Sequence, residues 1–494
     1  MGKWLSRGLI ALAALLAIFV GVILVRTHLI GAPRAQSASI DIPEAPAIDA
    51  ERMAQRLAET IRIRTISQTE GVVDNPAAFE ALAAFLRRTY PMTHAAGRLE
   101  RVAGHSLMFT FAGSDASLPP MLLMGHQDVV PVEAGTEGDW DAPPFSGEIR
   151  DGYVIGRGAL DDKGSIIAIF EAMEALLTRG FQHRRTIIFF FGHDEEVLGH
   201  GAQAAAALLR ERGVRPWFVL DEGGAVVTDS PQVGGPAALI GIAEKGYLTV
   251  RVIARAEGGH SSRPLADTTA ERLSRAILAI RGAPFAGGLD EGPARQMLEA
   301  LAPRMDFVSR AAIANMWALR PLVEGRVGAT PEGDAMLRTT IAPTIIGGGT
   351  KENVLPQEMF AVVNLRLHPR DTAEGALAHL RRSVAGIEGV TIEPMGTPTN
   401  PSRVSDAQSE AFALISAVAR PHLPAGTPIA PYLVGGATDS RHFNDVAENV
   451  YRFTPAVARI EDFARAHGTN ERMSVENLGR MAAFYAQLME AGAR

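Results

Sequence analysis

Thr186-Ile187-Ile188-Phe189-Phe190-Phe191-Gly192-His193-Asp194-Glu195-Glu196 is an apolar run of strand length that ends abruptly in imidazole and carboxylates. An unbroken apolar stretch of this length, bounded by polar residues, reads as a strand buried on both faces. Two more follow the same plan. Pro120-Met121-Leu122-Leu123-Met124-Gly125 ends at His126-Gln127-Asp128, and Trp217-Phe218-Val219-Leu220 ends at Asp221-Glu222-Gly223-Gly224. Strands buried on both faces belong to parallel sheets covered by helices, and the crevice beyond their carboxyl ends is where such sheets hold ligands. Three distant stretches should therefore deliver their polar ends to one place.

The patterns around these strands support an α/β fold with a mostly parallel sheet. Ala50 to Arg62, Ala78 to Arg88 and Lys163 to Thr178 carry helical periodicity, and Asp162 is placed to cap the third. After Glu244 the order changes to strand (Tyr247 to Ala254), helix (Thr268 to Arg281), two strands (Met336 to Ile346, Met359 to His368), helix (Ala373 to Val384) and strand (Val390 to Pro394). That is the β-α-β-β-α-β order of a ferredoxin-like α+β unit, with residues 293–322 as a helical insertion inside it. From about Asn400 the α/β pattern resumes and ends in the helix Val475 to Met489. The expected organisation is a catalytic domain over 48–243 and 397–494, interrupted by a lid and dimerisation domain over 244–396.

The chain has 494 residues, 47% of them hydrophobic, enough for more than one core. A net charge of −7 gives no basic footprint and argues against nucleic acid as partner. With no cysteine, a metal site must be built from histidine and carboxylate. Gly8 to Val25 is uninterrupted apolar sequence behind Lys3 and Arg7, long enough to approach a bilayer span. Residues 1–30 therefore read as a signal anchor and 31–47, rich in Ala, Pro and Ser, as a tether, with the body outside the cytoplasm. Cleavage of the segment as a signal, at the poor site Ala32-Pro33-Arg34-Ala35, would release the body as a secreted protein.

His126, Asp161, Glu196, Asp221 and His467 are oxygen and nitrogen donors at strand ends or polar turns, a set that can hold two zinc ions. Asp161 is the choice for the carboxylate spanning both ions, because Asp162 is needed for the helix cap. His126 and Asp221 would complete one metal, Glu196 and His467 the other, and water shared by such a pair loses its proton near neutral pH. Glu195, beside a ligand, suits general acid/base work, and the Asp128 carboxylate can accept the second N–H of His126.

Gly125-His126-Gln127-Asp128-Val129-Val130-Pro131, Gly156 to Gly164 with its Asp161-Asp162, Gly192-His193-Asp194-Glu195-Glu196, Leu220-Asp221-Glu222-Gly223-Gly224 and His467-Gly468-Thr469-Asn470-Glu471 together resemble the M20 metallopeptidases. Within that family they are most similar to the branch of carboxypeptidase S and the secreted N-acyl amino acid hydrolases. The resemblance runs from about Ile48 to the carboxyl terminus. It implies two zinc ions per subunit on the five ligands, catalytic Asp128 and Glu195, a cis peptide between Asp161 and Asp162, and Glu222 as the alternative to Asp221. It further implies that His260, in Gly258-Gly259-His260-Ser261-Ser262, polarises the scissile carbonyl, in a homodimer from the second subunit, and that Asn353 contacts substrate. Arg441, in Gly435-Gly436-Ala437-Thr438-Asp439-Ser440-Arg441-His442, and Arg366 are the candidates to read a free carboxylate through paired hydrogen bonds. The expected activity is cleavage of the last amide of a short peptide or an N-acyl amino acid. An aminoacylase without peptidase activity and a silent surface binding protein are the rivals. Met316, Trp317 and Leu319 could line an acyl pocket, although such a stripe is more often core.

Overall fold

Three parallel strands lie side by side at the centre of the molecule: Ile187–Gly192, Met121–His126 and Phe218–Asp221. They belong to a computed structural model that describes residues 2–31 and 40–494. Every residue of the three is buried, because helices cover both faces of the sheet. Adjacent strands are about 4.8 Å apart, so the loops that follow them emerge within one or two side-chain lengths of each other. Asn449–Arg452 continues the parallel set beside Phe218–Asp221, and Ile429–Val434 pairs in parallel with Gly235–Glu244. The flanks are antiparallel, with Arg98–Val102 and Ser106–Phe111 at one edge and Ala225–Ser230 near the other. The ten-stranded sheet is thus mixed, with its parallel part at the site.

Helix Lys163–Thr178 explains its own composition. It is apolar on nearly every face because it is sandwiched between the strand Met121–His126 and the helices Ala50–Arg62 and Val475–Gly492. Ile166, Ile167, Ile169 and Phe170 are buried there, and burying each such side chain contributes about 1.5–3 kcal/mol.

The smaller domain has the ferredoxin-like order. Its four antiparallel strands lie as Thr340–Gly348, Glu358–Leu367, Gly246–Arg255 and Val390–Thr399, backed by helices Thr269–Gly282 and Ala373–Val384. Two expectations are corrected here. The strand read from Met336 begins at Thr340, because Thr330 caps a short helix with Pro331 in its first turn that runs to Leu337. The helical insertion also does not pack on this domain. Met297, Leu298 and Leu301 lie against Ala237 and Ala430, on the edge of the large sheet.

The N-terminal helix Gly2–Gly31 contains a 25-residue stretch, Arg7–Gly31, whose mean hydropathy reaches 3.0, long and apolar enough to cross a membrane. Of the tether read over 31–47, residues 32–39, including the poor cleavage site, lie outside the described residues. Beyond them the chain returns to the body, where the Pro43 carbonyl accepts a hydrogen bond from Gln487 at 2.6 Å.

Candidate metal centre

His126 ends its strand with an imidazole that is 1% exposed. Its Nδ1 lies 3.0 Å from the main-chain oxygen of Asp128, which accepts the Nδ1 proton, and its Nε2 faces the cleft. The Asp128 carboxylate, expected to take this hydrogen bond, stands a little farther off than the carbonyl, with Oδ1 3.4 Å from Nδ1. The Asp128 oxygens instead accept from the backbone N–H groups of Glu195 and Glu196, at 3.2 and 3.1 Å. Asp128 thereby fixes the turn Glu195–Val197 that presents both glutamates.

Asp161 lies between two imidazoles. Its Oδ1 is 2.8 Å from His126 Nε2 and its Oδ2 is 3.1 Å from His467 Nε2. Burial would raise its pKa, but hydrogen bonds from His126 and His467 win and hold the carboxyl well below the usual range. The Asp161-Asp162 peptide is cis. Asp162 occupies the N-cap position of the following helix, yet its side chain makes no capping hydrogen bond. Its carboxylate faces His126 and Glu222 instead, with a buried Oδ2 that has no partner. The capping argument used to choose between the two aspartates is therefore not how the fold separates them.

Glu196 Oε2 is 3.0 Å from His467 Nε2, while its buried Oε1 has no hydrogen-bond partner. His467 has a left-handed backbone, φ +62°, which costs a side-chain-bearing residue about 1 kcal/mol. It is held there by its surroundings. Strand Arg472–Ser474 pairs with Tyr153–Ile155 and so carries the tail back to the loop that bears Asp161. Glu471, fully buried, accepts hydrogen bonds from the N–H groups of Gly158, Leu160 and Asp161 at 2.9, 2.9 and 3.1 Å and pairs with Arg157 at 2.7 Å. Arg157 also donates to the His467 carbonyl at 3.0 Å. This clamp was missed in the sequence. A Glu inside the tail motif and an Arg between Gly156 and Gly158 were visible, but nothing local says that they pair.

The largest correction concerns Asp221. Its carboxylate accepts from the Ser440 N–H at 2.9 Å, turned toward the loop after Ile429–Val434 and away from His126. Glu222 stands at His126 instead, with Oε1 3.2 Å from Nε2. Successive side chains leave a strand end on opposite sides, so the two acids cannot both enter the cleft. Burial, followed by the charge of Asp161, pushes Glu222 up to about 8. Glu195 is pushed well up as well, mainly by desolvation, with Asp439, Glu196 and Glu222 adding repulsion.

The residues fit divalent cations. Four carboxyl groups, Asp161, Asp162, Glu196 and Glu222, crowd two imidazoles, and two of their oxygens are buried with no donor. Hydrogen bonds to Asp161 and Glu196 push His467 up to about 10, and the charge of Glu222 drives His126 upward against the effect of burial. A site this short of positive charge, with only His nitrogen and carboxylate oxygen as donors, suits bound divalent metal.

The other site residues fall elsewhere. His260 and Asn353 come together on a two-stranded ribbon of the smaller domain, where Gly259–His260 pairs with Val354–Leu355 and Ser261 N–H donates to the Asn353 carbonyl at 3.1 Å. His260 Nδ1 accepts from the Ser262 N–H at 3.1 Å, which assigns the ring proton to an exposed Nε2. Arg441 donates to the Leu198 carbonyl at 2.8 Å, just beyond the Glu195–Val197 turn. Arg366 does not join it. Its guanidinium lies over the Tyr247 ring at 5.0 Å, on the sheet of the smaller domain. Of the suggested acyl pocket, Met316 is core whereas Trp317 is 58% exposed.

This geometry agrees with what the chain is similar to. Over 99% of its length it is 34% identical to an N-fatty-acyl-amino acid synthase/hydrolase of Xenopus tropicalis, covering 96% of that protein. It is also 34% identical to a probable carboxypeptidase S-like protein of Dictyostelium discoideum, over 89% of this chain and 84% of that one. Among solved structures, an M20 family metallo-carboxypeptidase from Sulfolobus solfataricus superposes with a TM-score of 0.64 at 18% identity, covering 90% of this chain and 99% of the other, which speaks for the fold alone. The sequence model of Peptidase family M20/M25/M40 matches residues 122–491, from the strand that ends at His126 to the C-terminal helix, and with that match the chain belongs to this family and is a metal-dependent amide hydrolase.

Proposed function

We propose that the chain is a two-zinc hydrolase that cleaves the amide beside a free carboxylate in N-acyl amino acids, with short peptides as its second substrate class. The observation that carries this reading is Asp161, whose two oxygens face two different imidazoles at 2.8 and 3.1 Å. His126 and Glu222 would hold one ion and His467 and Glu196 the other, with Asp161 common to both. Two such ions would supply Lewis acidity at the carbonyl and lower the pKa of water into the neutral range.

The chain's own groups then divide the remaining work. Glu195, with its raised carboxyl pKa, takes the proton from the attacking water and returns it to the departing nitrogen. Asp128 holds Glu195 in place through its backbone and keeps the His126 ring oriented through its own carbonyl. His260 Nε2–H donates to the carbonyl oxygen as charge develops on it, once the lid ribbon closes over the cleft, and Asn353 sits beside it to meet substrate. Arg441, tethered to Leu198 by one nitrogen, offers its other N–H groups to the substrate carboxylate. Arg366, stacked on Tyr247, is left out of the substrate contacts. The preference for N-acyl amino acids rests on the relative that matches almost the whole chain. The same reading sets Arg7–Gly31 across a bilayer, with Lys3 and Arg7 on the cytoplasmic side and the body on the other.

The test is a panel of N-acetyl, N-oleoyl and glycyl derivatives of one amino acid, each free or as the methyl ester, assayed with and without chelator. Turnover of the free acids should exceed that of the esters, the N-oleoyl form should lead, and chelation should abolish all of it. Equal turnover of blocked and free forms removes Arg441 from the reading. Undiminished turnover by demonstrably metal-free protein removes the metals.

A further inference from the structure

The N-terminal helix does not stand apart from the body. Ile23, Thr27 and Ile30 recur at helical spacing on one face, and that face packs against the helix Phe307–Ala314 of the insertion. At the joint lies a polar knot. Asn315, fully buried, donates through its amide to the Ala311 carbonyl at 2.9 Å, the Ile23 carbonyl at 3.2 Å and Thr27 Oγ1 at 3.4 Å. Arg26 Nε donates to the Ala314 carbonyl at 2.9 Å, satisfying an oxygen at the end of the insertion helix. The contact then continues along the apolar stretch, where Phe19 meets Trp317 edge to face with centroids 5.8 Å apart.

Position along the helix converts this contact into depth. The uncharged stretch ends at Val25, before Arg26, and Phe19 lies six residues farther in, a rise of about 9 Å. A bilayer that surrounds Phe19 must also surround whatever touches it. Between the apolar side chains exposed on the insertion, the Arg320 guanidinium is engaged by Asp290 and Glu324. Trp317 is 58% exposed and Leu322 68%, yet the indole N–H is already bonded to Asn315 Oδ1 at 3.3 Å and the helix end is satisfied by Arg26. Polar backbone and side-chain groups that find partners inside the protein are what a lipid environment requires. Depths of about 5–10 Å are those reached by elements that enter one leaflet without crossing it.

We propose that the segment Ala314–Leu322, the junction at Asn315 and the first half of helix Met316–Val327, is a second membrane element, which enters the same leaflet as the C-terminal half of the N-terminal helix and meets the acyl chains of a phospholipid bilayer through Trp317 and Leu322. The inference rests on the reading of Arg7–Gly31 as a span. It adds that the body is held on the membrane at two points, with the helical insertion on the sheet edge facing lipid. An apolar substrate partitioned into the bilayer would then meet the enzyme from that side.

The chain lacks cysteine, so single-cysteine variants of the full-length protein label at one place. Trp317→Cys, Leu322→Cys, Leu15→Cys in the span and Leu278→Cys, exposed on the smaller domain's helix Thr269–Gly282, would each carry an environment-sensitive fluorophore in phosphatidylcholine/phosphatidylglycerol proteoliposomes. All four side chains are exposed, and hydrolytic activity checks that each variant folds. Doxyl-labelled lipid should quench about half of the emission at positions 15, 317 and 322 and leave 278 unchanged. Quenching at 15 with 317 and 322 behaving like 278 overturns the second element while sparing the span. No quenching at 15 overturns the span itself and the proposal with it.

Discussion

Glu471 and Glu196 are both carboxylates withdrawn from water, and they are treated in opposite ways. Glu471 has every oxygen engaged, by three backbone N–H groups and the Arg157 guanidinium. Glu244, away from the cleft, is intermediate: its Oε1 pairs with fully buried Arg452 at 2.5 Å and accepts from the Thr438 hydroxyl at 2.7 Å, while its buried Oε2 has no partner. Glu196 has one oxygen on His467 and the other on nothing, and Asp162 has a buried oxygen in the same state. Buried charge that is matched within the chain holds the fold together. Buried charge left unmatched, beside imidazoles, marks where the chain requires something it does not itself contain.

The sharpest way to break this comparison is at Glu195, which serves neither purpose. Glu195→Gln should lower turnover by about 10²–10⁴-fold while elemental analysis finds the metal content of the wild type. Loss of metal along with activity would make it a ligand. Next comes the pair at the end of one strand. Glu222→Gln should weaken metal retention against a competing chelator by more than about 100-fold, and Asp221→Asn by less than about tenfold, since the Asp221 carboxylate is turned to the loop bearing Ser440. The reverse ranking would return Asp221 to the ligand set. On the matched side, Glu471→Gln leaves Arg157 buried without its partner, and denaturant unfolding should show a loss of about 3–5 kcal/mol. A smaller effect is expected from acid. Burial, aided by the Arg370 charge, pushes His368 down to about 4 from 6.5. Between those values the unfolded chain takes up a proton that the folded chain refuses, so stability should be full above pH 6.5 and fall by about 1–3 kcal/mol on the way to pH 4. His368→Gln should flatten that part of the thermal-midpoint profile.

Much of this was legible in the chain. The apolar runs ending in polar residues identified the central strands, and their common end identified the cleft, because burial on both faces leaves a composition that nothing else explains. The strand and helix order after Glu244 similarly announced the smaller domain. What could not be read was side-chain direction at a strand end. Asp221 and Glu222 are adjacent acids of similar chemistry, and only the loop bearing Ser440, more than two hundred residues away, draws one of them out of the cleft. Asp128 shows the same limit. Its spacing from His126 was informative, but the carbonyl stands nearer the ring, at 3.0 Å, than the carboxylate does at 3.4 Å.

The sequence by itself determined the donor chemistry, histidine and carboxylate without thiolate, together with the sheet that gathers the donors and the apolar length at the amino terminus. Only the tertiary structure decided which acid faces His126, that Glu471 ties the tail to the Asp161 loop, and that the helical insertion rests on the large sheet and against the N-terminal helix. Periodicity and composition are local properties that burial writes along the chain. Pairing between distant groups is settled by which of them the folded backbone brings within hydrogen-bond reach, and that leaves no local trace.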